Sequence, residues 1–67
     1  MDKMHLNEGE MEAVRLSDFE GFCQKGCAER MGISRTTFSR IIEGAHQQIA
    51  DALLYGKAIE IKIQNKL

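Results

Sequence analysis

Sixty-seven residues with 43% hydrophobic and 28% charged side chains and no proline describe one globular domain, 1–67, near the lower limit at which a single core holds unaided. The longest apolar runs are a few residues, too short for a membrane span or a secretory core, so no membrane partner is expected and a cytoplasmic location follows. A net charge of −1 weighs against strong nonspecific affinity for nucleic acid, which comes from cations that neutralise phosphates.

The charge is unevenly distributed, with six acids and two bases in residues 1–21 against two acids and four bases in residues 22–50. Asn7 is placed to cap a helix whose early acids Glu8, Glu10 and Glu12 suit the positive end of the helix dipole. Met11, Val14, Leu16, Phe19 and Phe22 supply its buried face, and Gly21 ends it. This helix reads as scaffold behind the next two, its acids turned away from their partner.

Cys23 and Cys27 stand four apart at the start of the following helix. Two cysteines with scattered His5 and His46 make a weak metal signature. The simpler reading has Cys27 as a small core hydrophobe and Cys23 as a helix cap, with no metal and no cofactor.

Residues 24–43 carry a helix-turn-helix pattern. Such a motif needs a small residue where its helices cross, a flexible residue at the turn and apolar residues where the helices meet. Ala28 supplies the first and Gly32 the second, since glycine alone enters the left-handed region without a Cβ clash. Cys27, Met31, Ile33, Phe38 and Ile41 fall inward, and Arg30, Arg35, Thr36, Ser39 and Arg40 fall outward. Ser34 caps a second helix starting at Arg35, with Thr37 placed to bond back to it. Phe38, Ile41, Ile42, Ala45, Ile49, Ala52 and Leu53 then recur at spacings of three and four, which carries the helix to Leu54 or Tyr55.

The first turns of this second helix have the chemistry to read a major groove of double-stranded DNA. Arg donates two bonds to guanine, and Ser and Thr bond bases or phosphates. Arg35, Thr36, Ser39 and Arg40 are the expected DNA-binding residues, with Glu43 placed to accept from cytosine and Gln47 one turn further toward phosphate. Gly44, inside the same helix, has two readings: a close approach of backbone to DNA or another subunit, or a tolerated weakness.

After Tyr55 and Gly56 the period changes from helical to alternating, and Ile59, Ile61 and Ile63 mark a strand over about residues 58–63. A lone strand needs a neighbour. The candidates are the opening segment, where Met4 and Leu6 alternate with Lys3 and His5, and a second copy of the chain, the favoured neighbour, which would make the tail a dimerisation element. A homodimer on a palindromic site would double the phosphate contacts of so weakly charged a chain and supply extra buried surface. No nucleophile stands beside a base and no glycine-rich phosphate loop follows a strand, so no enzyme activity is expected.

Leu6-Asn7-Glu8, Glu12-Ala13-Val14-Arg15-Leu16, Asp18, Glu20-Gly21, Ala28-Glu29, Met31-Gly32-Ile33-Ser34-Arg35, Thr37-Phe38, Arg40-Ile41, Ala50-Asp51-Ala52-Leu53 and Gly56-Lys57-Ala58 together resemble an uncharacterised prokaryotic family of small predicted DNA-binding proteins. The resemblance runs over residues 6–63. It implies a mainly α, three- to four-helix helix-turn-helix domain similar to region four of bacterial sigma factors, with a short C-terminal β-strand, and the role of a transcriptional regulator. The sigma-like fold also implies an alternative partner, a protein of the transcription machinery. This sequence departs from the family in carrying His46, Gln47 and Gln48 where basic residues are common, and Thr36 where proline commonly follows the Arg.

Overall fold

The computed structural model describes residues 3–61. In chain order it contains strand β1 (Lys3–Leu6), helix α1 (Glu8–Val14) continued by a π-helical turn (Arg15–Phe19), helix α2 (Gln24–Met31), helix α3 (Arg35–Tyr55) and strand β2 (Ala58–Ile61). Among the described residues the helices number three, not four. The fold is mainly helical with a short two-stranded parallel sheet.

Each helix begins where its capping residue predicts. Asn7 Oδ1 accepts from the Glu10 amide at 2.8 Å, and Glu10 Oε1 accepts from the Asn7 amide at 3.0 Å, the reciprocal pair that satisfies two amides left over at a helix start. Cys23 Sγ accepts from the Gly26 amide at 3.4 Å. Ser34 Oγ accepts from the Thr37 amide at 3.1 Å and donates to Thr37 Oγ1 at 2.9 Å. Between α2 and α3, Gly32 sits at φ 69°, and its amide closes the last turn of α2. The amide of Ile33 donates to the Ala28 carbonyl at 3.0 Å. Met31 and Ile33 on either side of the turn are both half-buried, so the reversal is fixed by packing as well as by glycine.

Two connected clusters form the core. The first joins α1 and its π turn to α2 and the start of α3 through Ala13, Leu16, Cys27, Ala28, Phe38 and Ile42. Phe38 and Cys27 are fully buried. The second places Met4 and Leu6 of β1 against Ala45 and Ala52 of α3, with Met11 and Ile49 beside them. Val14 belongs to both.

Three expected core positions lie outside. Phe19 is 84% exposed. In the π turn the Glu20 amide bonds the Arg15 carbonyl, five residues back, so each residue turns through less of a circle than in an α-helix. Leu16 stays inward at 2% exposure, and Phe19, three residues on, falls short of returning to its face. Leu53 is 75% exposed, because Ala52 takes the inward position at 3% and the next residue is rotated away from it by about 100°.

Ile59 is 46% exposed. It pairs in register with buried Met4, but β1 covers α3 more closely than β2 does. The strand is not alone: β2 pairs in parallel with β1, from Lys3 opposite Ala58 to Leu6 opposite Ile61. The tail therefore has its neighbour inside the chain, in the opening segment, and the expected pairing with a second copy is corrected. Of the expected strand 58–63, residues 62 and 63 lie outside the described residues, as do the side chains of residues 60 and 61.

Among the described residues, nothing beyond its chain neighbours and the backbone of its own helix comes within 4 Å of where a Cβ on Gly44 would stand. Since glycine inside a helix costs about 0.5–1 kcal/mol relative to alanine, Gly44→Ala raises the melting temperature; a lower one would reveal a neighbour absent from this conformation.

Candidate nucleic-acid interface

The turn between α2 and α3 sets the start of α3 beside the start of α2, and the side chains there line an open groove of about 400 Å³. Its lining residues are Gln24 from the first position of α2 and Arg35, Thr36 and Ser39 from the first turns of α3. Arg35, Thr36 and Arg40 are exposed and Ser39 is half-buried. Thr36, Arg40, Glu43 and Gln47 follow one another at spacings of four, three and four, which places them on one face of the helix. Glu43 and Gln47 are exposed and line a second shallow groove with His46 and Ala50.

Thr36, Arg40, Glu43 and Gln47 thus lie along one ridge of α3, opposite the buried stripe of Phe38, Ile42, Ala45 and Ala52, with Ser39 and Arg35 set progressively toward one edge of it. Gly32 and Ser34 hold the turn that presents them.

The four arginines divide into two groups. Arg15 is bound by its own neighbours, with Nε and Nη2 each 2.8 Å from a Glu12 oxygen and Nη1 3.3 Å from Glu20. The Arg15 hydrogen bonds hold the Glu12 carboxyl below its ordinary value against a smaller opposing effect of desolvation. A carboxyl shifted this way stabilises the fold above its unfolded pKa and loses that contribution as the pH falls through the folded one. With both side chains about half exposed, the contribution is small. Arg30 lies over the Phe22 ring, 3.7 Å from its centroid, a cation–π contact that fixes the loop before α2. Among the described residues, no ion pair or hydrogen bond engages the guanidinium of Arg35 or Arg40. These are the two arginines left facing water on the ridge.

Three features escaped sequence reasoning. Gln24 joins the groove because α2 and α3 start side by side, and no periodicity within one helix reports that. His46 Nε2 lies 2.6 Å from Asp18 Oδ2, tying the π turn to the middle of α3. Gln48 Nε2 donates to Glu10 Oε2 at 2.7 Å, tying α1 to the same stretch. His46 and Gln48, which stand where the family resemblance implies basic residues, are thus used inside the fold. The acids of α1 are correspondingly spent: Glu10 on Asn7 and Gln48, Glu12 on Arg15.

Cys27 is buried and Cys23 exposed. Burial raises the Cys27 thiol above its ordinary value. A thiol reagent added to the native protein is expected to modify one cysteine per chain, at position 23, and both only after denaturation; mass spectrometry distinguishes the two. Among the described residues no three His, Cys, Asp or Glu side chains are placed to hold a metal ion, and no helix is long and apolar enough to cross a membrane.

Comparison with known proteins gives relatives over nearly the whole chain. The UPF0251 protein of Thermoanaerobacter pseudethanolicus is 52% identical over 62 residues, covering 92% of this chain and 52% of that protein. The corresponding protein of Caldicellulosiruptor saccharolyticus is 51% identical over 61 residues, 91% of this chain and 44% of the relative. That of Prosthecochloris aestuarii is 48% identical over 62 residues, 92% and 40%. The chain spans about half the length of these curated relatives. No solved structure matches it significantly. The family described as "Protein of unknown function DUF134" matches residues 1–65, and the chain belongs to that family.

Proposed function

We propose that α2, the Gly32 turn and α3 act as a helix-turn-helix, similar to region four of bacterial sigma factors, that binds double-stranded DNA sequence-specifically and serves as a transcriptional regulator. The observation that carries this reading is the pair of unengaged guanidinium groups of Arg35 and Arg40 on an uncovered ridge, beside a groove lined by Gln24, Thr36 and Ser39. The opposite face of the same helix is packed in the core, which leaves the ridge as the surface free to enter a groove.

The roles follow from side-chain chemistry. Arg35 and Arg40 donate in pairs to guanine edges or to phosphate, Thr36 and Ser39 bond bases or phosphate, and Glu43 accepts from cytosine. Gln47, further along the helix, reaches phosphate. A chain of net charge −1 has little nonspecific affinity, so recognition rests on these few contacts, repeated by a second copy on a palindromic site.

Selection of bound fragments from random duplex DNA tests the reading directly. It is expected to return one motif, and affinity for that motif is expected to fall steeply between about 50 and 200 mM salt. The rival reading, a sigma-like module that docks on a transcription-machinery protein, finds its support in a mostly apolar groove on α1 lined by Glu8, Met11, Glu12 and Arg15. An apolar contact there would be nearly indifferent to salt. Enrichment of no motif would favour that rival.

A further inference from the structure

Glu43 stands in the middle of the ridge, after Arg40 and before Gln47, and it is exposed. Four acids that precede it in the chain are tied inside the fold, Glu10 to Gln48, Glu12 and Glu20 to Arg15, and Asp18 to His46. Glu43 is different. Among the described residues, no ion pair or hydrogen bond engages its carboxylate. We infer that Glu43 is the specificity-determining residue of the ridge: its charge turns the chain away from duplex DNA except where a cytosine amine meets it. The inference rests on the DNA-binding reading and gives that reading its base preference.

The first observation is the lack of a neutralising base. An acid on a helix surface is offset most simply by a cation three or four residues away. Those positions are Ser39, Arg40, His46 and Gln47. Ser39 and Gln47 carry no charge, Arg40 forms no ion pair with Glu43, and His46 Nε2 is held at 2.6 Å by Asp18 Oδ2. The carboxylate therefore brings its charge to whatever the ridge meets.

The second is position. Burial of Phe38, Ile42 and Ala45 fixes which face of α3 points outward. Along the helix axis Glu43 lies about 4.5 Å beyond Arg40 and about 6 Å before Gln47. A groove that seats both of those residues cannot avoid the acid between them. Base pairs succeed one another at about 3.4 Å, so Glu43 meets a pair one or two steps from the one that Arg40 reads.

The chemistry of the groove then selects the base. A carboxylate entering a duplex loses water and meets the repulsion of the phosphates, and only a donor on a base edge offsets this. In the major groove the donors are the N4 amine of cytosine and the N6 amine of adenine. Adenine sets its N7 acceptor beside the amine, which repels a carboxylate, whereas cytosine offers the amine alone. Cytosine is the base that the charge admits.

Selection from random duplex DNA with the wild-type chain and with Glu43→Gln tests the assignment, followed by fluorescence anisotropy on the selected and on random duplexes. The wild type is expected to select a cytosine within two pairs of a guanine and to prefer it there by about five- to 150-fold. Glu43→Gln is expected to select adenine at that pair, because an amide donates to N7 and accepts from N6, and to bind random duplex about three- to tenfold more tightly than the wild type. Glu43→Ala is expected to gain the same nonspecific affinity and to show no preference at the pair. Glu29→Gln, which removes the charge of another exposed acid, on α2, is expected to leave the motif unchanged. The same motif from wild type and Glu43→Gln, with equal affinity for random duplex, overturns the proposal and leaves the DNA reading standing. A change of motif in Glu29→Gln as large as that in Glu43→Gln overturns it too, by tracing the effect to net charge. No motif from the wild type ends both.

Discussion

Arg35→Ala is expected to weaken binding to a selected duplex by about 1–3 kcal/mol, roughly five- to 150-fold, and to relax the preference at one base pair. Arg40→Ala is expected to behave alike at a different base pair, since Arg40 lies five residues along α3 and about 140° around it from Arg35. The size of the loss follows from the absence of any partner for either guanidinium among the described residues: no intramolecular ion pair is broken by the substitution, so the fold is left intact and the whole effect falls on the complex. Arg15→Ala is the internal control, because its guanidinium is held by Glu12 and Glu20. It should leave affinity unchanged. Fluorescence anisotropy with the preferred duplex and with single-base variants separates a base-reading arginine from one that touches only phosphate, which would lower affinity for all sequences equally. Equal affinity of wild type and both Ala variants would remove these two residues from the interface.

The largest effect on stability is expected at Phe38. Its side chain is fully buried, at the point where α3 meets α2 and the π turn. Phe38→Ala is expected to cost about 3–5 kcal/mol, the lost transfer energy together with the cavity left behind. A domain of this size has about 5 kcal/mol in total, so the variant should be largely unfolded at 25 °C, and circular dichroism or a urea titration would show it. Phe19→Ala provides the contrast. With Phe19 84% exposed, no comparable loss is expected, although both phenylalanines belong to helical apolar patterns.

That contrast shows what the sequence makes legible. The helix starts at Glu8, Gln24 and Arg35 could be read because a capping side chain acts within three residues of itself, and Asn7, Cys23 and Ser34 each bond an amide that near. The turn was legible because Gly32 has a conformation that other residues rarely adopt. The face carrying Arg35, Thr36, Ser39 and Arg40 was legible because α3 keeps one period over its first turns. Phe19 was misread because the winding itself changes at Arg15, and a pattern read at the α-helical period carries on past that point. Leu53 and Ile59 were misread for a different reason. Leu53 closes the apolar stripe beside Ala52, and it is Ala52 that points inward; Ile59 alternates as expected, but β2 packs on α3 less closely than β1 does and leaves it 46% exposed. Gln24 and the tie between His46 and Asp18 depend on how two elements meet, and neither lies within the reach of a local pattern.

The parallel ladder of β1 and β2 has a consequence for synthesis. Because Lys3 is aligned with Ala58 and Leu6 with Ile61, the chain must be made through Ile61 before the first strand finds its whole mate, whereas the cluster around Phe38 needs only the portion through Ile42. Joining distant segments is entropically slow, so during synthesis the three helices are expected to gather before the strands pair. The two strands then fasten like a clasp once translation has passed the end of α3.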